Sequence, residues 1–163
     1  MTLDMVRIRG AGAHIPIWQP WTALALFAFL LNFVWEIVQS PFYGMSGTPH
    51  GIATRTCTLA TLGDVVFTLA AYAAVAGVTR HRLWGVRWRP WYVIAFVAVG
   101  LLLTVVAEYV NVFVLLRYQY APGMPRLAGI GVSPLLQWLI IPAIALWLTR
   151  RHLEVVAAAV DPR

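Results

Sequence analysis

The chain has 163 residues, is 61% hydrophobic with a mean hydropathy of +0.76, and carries charge on only 11% of its residues. That charged share is less than half of what a soluble domain carries, which excludes a soluble enzyme and a disordered tail. Twelve basic residues, all arginine, against six acidic ones give a net charge of +6 and a pI near 10.3. The arginines sit between long apolar runs rather than on one polar face, so the excess reads as membrane topology and not as a nucleic-acid surface. The single cysteine, Cys57, leaves no internal disulfide, no CxxC redox pair and no cysteine-based zinc site.

In chain order, four apolar stretches are long enough to cross ~30 Å of hydrocarbon at ~1.5 Å per residue. They lie at about 21–43, 57–79, 91–116 and 132–149. The first follows Pro20 and exceeds the apolar core of a signal peptide, with no A-x-A site at its end, so it reads as a retained helix. Arg7, Arg9, Arg80, Arg82, Arg87, Arg89, Arg150, Arg151 and Arg163 flank the spans on one side, and Arg55, Arg117 and Arg126 on the other. Nine against three predicts that both termini are cytoplasmic. Trp18, Trp21, Trp84, Trp88, Trp91 and Trp147 fall near the inner span ends, where indoles favour the headgroup layer. The fold class is therefore an all-α integral membrane protein, a single domain over 1–163 built as a four-transmembrane-helix bundle in the lipid bilayer.

The outward loops, 44–56 and 117–131, combine Gly44, Gly47, Pro49, Gly51, Pro122, Gly123, Pro125 and Gly129 with Tyr43, His50, Tyr118, Tyr120, Met45 and Met124. They turn tightly while offering aromatic surface, and read as caps over the bundle. The basic and aromatic link 80–90 is expected to lie along an anionic inner surface. No internal repeat or low-complexity tract stands out, and the small residues are too scattered to name a helix-dimer face.

Each of the first three spans contains one carboxylate: Glu36, Asp64 and Glu108. One charge at mid-bilayer costs ~2.5–3.5 kcal/mol on insertion scales, so three in so small a chain require a reason. Asn32, Glu36, Gln39 and Tyr43 are spaced four, three and four apart and share one helix face. Cys57, Thr61, Asp64 and Thr68 do the same in the second span, Thr104, Glu108 and Asn111 in the third, and Ser133 and Gln137 extend the stripe into the fourth. The three acids come out at one depth, roughly 10–12 Å below the outer boundary. That pattern predicts an outward-opening polar pocket roofed by the two loops.

No basic side chain lies within the spans to pair with these acids; Arg117 and Arg126, or Arg55 and His50, are the residues that could fold down as partners. A protonated carboxylic acid beside an ionised carboxylate is what general acid/base catalysis needs, and in a membrane pocket it suits isomerisation, hydration or cyclisation of a lipid or isoprenoid-like molecule. The candidate catalytic residues are Glu36, Asp64 and Glu108, and the candidate binding residues Asn32, Gln39, Tyr43, Asn111, Arg117, Tyr120, Arg126 and Gln137. Bland readings stand beside these: the amides as helix glue, Arg117 and Arg126 as solvated topology residues instead of a grip on an anionic headgroup, His50 as a loop residue, Tyr118 and Tyr120 as interface anchors. Three carboxylates with amide oxygens also make a hard oxygen site for Mg²⁺ or Ca²⁺, although no metal is assigned. The absence of histidine from the spans argues against zinc, iron and b-type haem. Acids in one layer, with no relay towards the inner face, disfavour ion passage. Metalloprotease, P-loop and aspartate-rich prenyl-diphosphate motifs are absent.

The segments LNFVWEIVQSPFY (31–43), LGDVVFTLAA (62–71), EYVN (108–111), YAPGMP (120–125) and GVSPLLQWLIIP (131–142) resemble those of a family of small, functionally uncharacterised four-span bacterial integral membrane proteins. The resemblance implies a four-span architecture in a bacterial inner membrane and singles out Glu36, Gln39, Asp64, Glu108, Asn111, Pro125, Pro134, Gln137 and Pro142, without carrying over a catalytic role. Two functions follow as expectations. One is binding of an apolar or amphipathic small molecule with acid/base chemistry on it. The other is a non-catalytic accessory subunit that uses the same acids and amides to dock a neighbouring membrane chain. Four helices of this length bury little interior, so self-association or a partner subunit fits either.

Overall fold

A computed structural model describes residues 5–7, 14–16, 18–86 and 89–160. Apart from two short antiparallel hairpins the fold is helical: β1 (Met5–Arg7) pairs with β2 (His14–Pro16), and β3 (Arg126–Leu127) with β4 (Ile130–Gly131). The long helices are α1 (Gln19–Gln39), α2 (His50–Thr79), α3 (Pro90–Tyr109) and α4 (Val132–Val160). A 3₁₀ turn, Ser40–Tyr43, extends α1, and a π turn, Val110–Val114, extends α3. Each resulting rod is long and apolar enough to cross a membrane.

The helices run up and down in a ring: α1 packs between α2 and α4, α3 closes the other side against the same two helices, and α1 and α3 lie on a diagonal. The antiparallel sense shows in the cross-helix contacts. Gln39 at the end of α1 bonds Ser133 and Gln137 near the start of α4, and Trp21 at the start of α1 meets Tyr72 near the end of α2. Connections 44–49 and 115–131 therefore share one end of the bundle with Arg55, Arg117 and Arg126. Arg80, Arg82, Arg89, Arg150 and Arg151 share the other. Arg9, Arg87, Trp88 and Arg163, and the side chain of Arg7, lie outside the described residues.

Helix boundaries differ from the sequence reading where polarity misled it. The helix α2 begins at His50, so 50–56 are helical and the first connection shrinks to 44–49. The threonines of its first turns bond back to the helix: Thr56 Oγ1 donates to the Ile52 carbonyl at 3.0 Å and Thr58 Oγ1 to that of Thr54 at 2.8 Å. The helix α4 continues to Val160, past the fall in hydropathy at Arg150. There Glu154 accepts Arg150 Nε at 2.8 Å and lies 3.5 Å from Arg151 Nη1, pairs that support a solvated turn.

The terminal half of the bundle is a dry aromatic core of Leu24, Ala28, Ala71, Tyr72, Val75, Trp84, Tyr92, Phe96, Ala145 and Leu146. Trp84 corrects the expected tryptophan belt. Its ring stacks on Tyr72 at 4.8 Å, its indole N–H donates to the Tyr72 carbonyl at 3.0 Å, and it is buried rather than at a headgroup layer. Trp84 of the 80–90 link thus plugs the bundle instead of lying along a surface, while Trp18, Trp91 and Trp147 remain exposed. The outer faces are apolar in turn: Leu26, Leu30, Val34 and Val38 recur every four residues on α1 and all are exposed.

Where α3 meets α4, the backbone of Gly100 lies against the Trp138 ring, and an added Cβ would sit 2.1 Å from Trp138 Cζ3. Gly100→Ala is expected to lower the thermal midpoint in detergent, at a cost of about 1–3 kcal/mol for overpacking. Combining it with Trp138→Leu should restore part of the loss, a non-additivity that circular-dichroism melts of the single and double variants would reveal.

Candidate functional site

The polar residues of the first and fourth helices meet at the opposite end from the aromatic core. Gln137, almost fully buried on α4, donates its amide hydrogens to Asn32 Oδ1 on α1 and Asp64 Oδ2 on α2, both at 2.9 Å. Glu36 Oε1 lies 3.4 Å from the same nitrogen and has a closer donor in Gln39 Nε2 at 2.6 Å. Gln39 spends its second hydrogen on Gln137 Oε1 at 3.2 Å. Its own carbonyl accepts from Trp35 Nε1 at 3.1 Å and Ser133 Oγ at 2.7 Å. Asn32 donates back to the Ala28 carbonyl at 2.8 Å. Both amide hydrogens of Gln39 and of Gln137 have an acceptor, and one network ties α1, α2 and α4.

Glu108 on α3 stands in a different setting. It accepts hydrogen bonds from three phenols: Tyr43 at 3.4 Å and Tyr118 at 2.8 Å on Oε1, and Tyr120 on Oε2. Three donors on an acceptor-only carboxylate make a charge-assisted cage. Tyr118 and Tyr120 lie beyond the helix, and burial, reinforced by the Glu108 carboxylate, pushes both phenols above the ordinary tyrosine range. They therefore stay protonated as donors at physiological pH. The segment that carries them is fixed at both ends. The π turn lets the Asn111 carbonyl accept from Arg117 N at 2.9 Å, and Ala121 N donates to the Phe42 carbonyl at 2.8 Å.

Between these two groups lies a cavity of about 610 Å³, within the usual range for small-molecule sites. Of the residues singled out from sequence, Glu36, Gln39, Tyr43, Asp64, Glu108, Asn111, Arg117 and Gln137 line it. Three do not. Asn32 is buried behind Gln137, Tyr120 is buried behind Glu108, and Arg126 is exposed with its guanidinium 5.6 Å above the Tyr120 ring. Arg117 sits at the rim, exposed, with Nη1 donating to Asn111 Oδ1 at 3.3 Å. None of Arg55, His50, Arg117 and Arg126 forms an ion pair with the three acids among the described residues. Nor is there, among those residues, a group of three His, Cys, Asp or Glu side chains placed to hold a metal ion.

Several wall residues were not marked as binding residues in the sequence. Tyr118 had been weighed as an anchor and instead donates into the cavity. Cys57 and Thr104 were placed only on polar helix faces, and both line it. Phe67 and Trp138, 6.3 Å apart ring to ring, are aromatic wall residues that hydropathy cannot tell from core. The signal for Trp138 was indirect, a glycine at position 100 on the facing helix. No family model matches the chain, and no curated protein and no solved structure matches it.

Gln137→Leu removes the shared donor of Asn32 and Asp64 while keeping bulk. The expected result is a loss of about 1–3 kcal/mol of stability, read as a lower midpoint of unfolding in mixed micelles. Gln137→Glu, which can still accept from Gln39, should lose less if protonated, so the deficit should shrink as pH falls.

Proposed function

We propose that the protein is a multi-pass membrane protein of a bacterial inner membrane, with both termini cytoplasmic, whose cavity binds a lipid or isoprenoid-like molecule and isomerises it by acid/base chemistry. What supports the orientation is the arginine imbalance between the two ends of the bundle, since the arginine-rich end is retained on the cytoplasmic side. What supports the site is one observation: carboxylates from three different helices line one cavity, and among the described residues no arginine or histidine side chain forms an ion pair with any of them. Helix glue needs only amides, so the ionisable groups are retained for chemistry.

In this reading the two carboxylate settings divide the work. Asp64 and Glu36 share the amide donors of Gln137 and Gln39 and hold one proton between them; Glu108, with its three phenols, is the base. The pair delivers its proton to one carbon of a double bond, whose π electrons form the new C–H bond. Glu108 removes a proton from the carbon next to the resulting cation, and those electrons form the shifted double bond. Atoms and charge balance without a cofactor, and exchange with solvent protons, which reprotonates the pair and deprotonates Glu108, resets the site.

Lipids extracted with the purified protein and identified by mass spectrometry, then returned to it in D₂O, should acquire deuterium next to a double bond. Glu108→Gln keeps an acceptor for Tyr43 and Tyr118 and offers the Tyr120 oxygen an N–H donor, so it is expected to fold, yet to lose deuterium incorporation by at least about 100-fold, the usual contribution of a general base. Full incorporation by Glu108→Gln would overturn the acid/base reading, and release of a co-purifying membrane chain by that variant would favour the accessory-subunit reading. For the orientation, a cysteine placed at position 151 in a Cys57→Ser background should react with an impermeant maleimide only after cells are lysed. One at position 126 should react in intact spheroplasts.

A further inference from the structure

We infer that the preferred occupant of this cavity is a cationic amphiphile, an alkyl ammonium whose head sits among the three carboxylates and whose chain leaves between α2 and α3. The inference rests on the cavity described above and names the charge its ligand carries. An anionic head would face Glu36, Asp64 and Glu108 together, whereas a cationic one adds the countercharge that their hydrogen-bond donors do not supply. An ammonium group meets both carboxylates and the aromatic faces of Tyr43, Phe67, Tyr118 and Trp138, which line the same space and attract cations through their ring quadrupoles. A carbocation formed in the proposed isomerisation would be held by the same groups, so an ammonium amphiphile is also its charge mimic.

A second observation comes from α3. Thr104, one turn before Glu108, lines the cavity and is 5% exposed, and its Oγ1 has no hydrogen-bond partner. A buried hydroxyl without a partner costs free energy, and an ammonium head that keeps an N–H would supply a donor on that wall. The route for the chain is visible on α2. Ala60 and Gly63 are exposed and also line the cavity, as does the small Ala107 of α3, so this part of the wall carries the least side-chain bulk. A Cβ added at Gly63 meets nothing within 4 Å. The exposed neighbours Leu59, Leu62 and Val66 make the outside of this gap apolar, the surface along which an alkyl chain would lie.

The test uses the full chain in neutral maltoside micelles with three probes: octyltrimethylammonium, octyl sulfate and tetramethylammonium. Binding is read as a saturable change in tryptophan fluorescence and as a shift of the thermal midpoint. Octyltrimethylammonium is expected to bind at least about tenfold more tightly than octyl sulfate and to raise the midpoint, and Asp64→Asn or Glu36→Gln to cut that affinity about tenfold or more. Gly63→Trp should weaken the octyl probe while leaving tetramethylammonium unchanged. Equal binding of the sulfate and the ammonium, measured on the unaltered chain and so independent of any folding defect, would overturn the inference, as would wild-type affinity in both carboxamide variants. Equal weakening of both ammonium probes by Gly63→Trp would overturn the chain route. The outcomes separate from those of the lipid experiment: deuterium incorporation without ammonium preference sinks the inference and spares the isomerase, and ammonium preference without incorporation does the reverse.

Discussion

The side-chain amide of Gln137 is the interaction on which this bundle turns. In hydrocarbon every polar group must find its partner inside the protein, and a charged group most of all. One amide group on α4 reaches Asn32 on α1 and Asp64 on α2, while its carbonyl takes a hydrogen from Gln39, so three helices are registered by a single buried group. That registration sets Glu36 and Asp64 side by side and leaves the space next to them open. The opposite end needs no such device, because Trp84, Tyr72 and Phe96 fill it by shape.

The bundle is thus two halves with different physics. The half near the termini is close-packed and aromatic, with the indole of Trp84 satisfied by a backbone carbonyl. The half near the 44–49 and 115–131 connections is polar and holds the cavity, and its wall toward α2 and α3 includes the small residues Ala60, Gly63 and Ala107. Rigidity in the first half allows the second to hold a cavity, since a helix pair fixed at one end by packing and at the other by hydrogen bonds does not collapse inward.

Glu108 shows how a loop can complete a helical site. Its helix supplies one carboxylate, and the donors come from the 3₁₀ turn after α1 and from the segment after the π turn. The π turn is what redirects the chain: Arg117 N bonds the Asn111 carbonyl, and Leu116 takes a positive φ of 52°. Tyr118 and Tyr120, two residues apart, are thereby both turned onto the same acid, as alternate residues of an extended segment share one side.

The four spans, their polar faces and the three acids follow from composition and helical periodicity, because a stretch long enough to cross a bilayer and a repeat near 3.6 residues are local properties. The acid-bearing faces of α1, α2 and α3 and the residue Gln137 could be named from spacing for that reason. What periodicity does not contain is which face meets which. The pairing of Gln137 with Asn32 and Asp64, the burial of Trp84, the turning of Tyr118 onto Glu108, and the withdrawal of Asn32, Tyr120 and Arg126 from the cavity wall all depend on contacts between residues 6 to 105 positions apart. Helix ends escaped the sequence for a related reason: the threonines near residue 56 and the ion pairs of Glu154 satisfy polarity within the helix, so hydropathy fell where the helix did not stop.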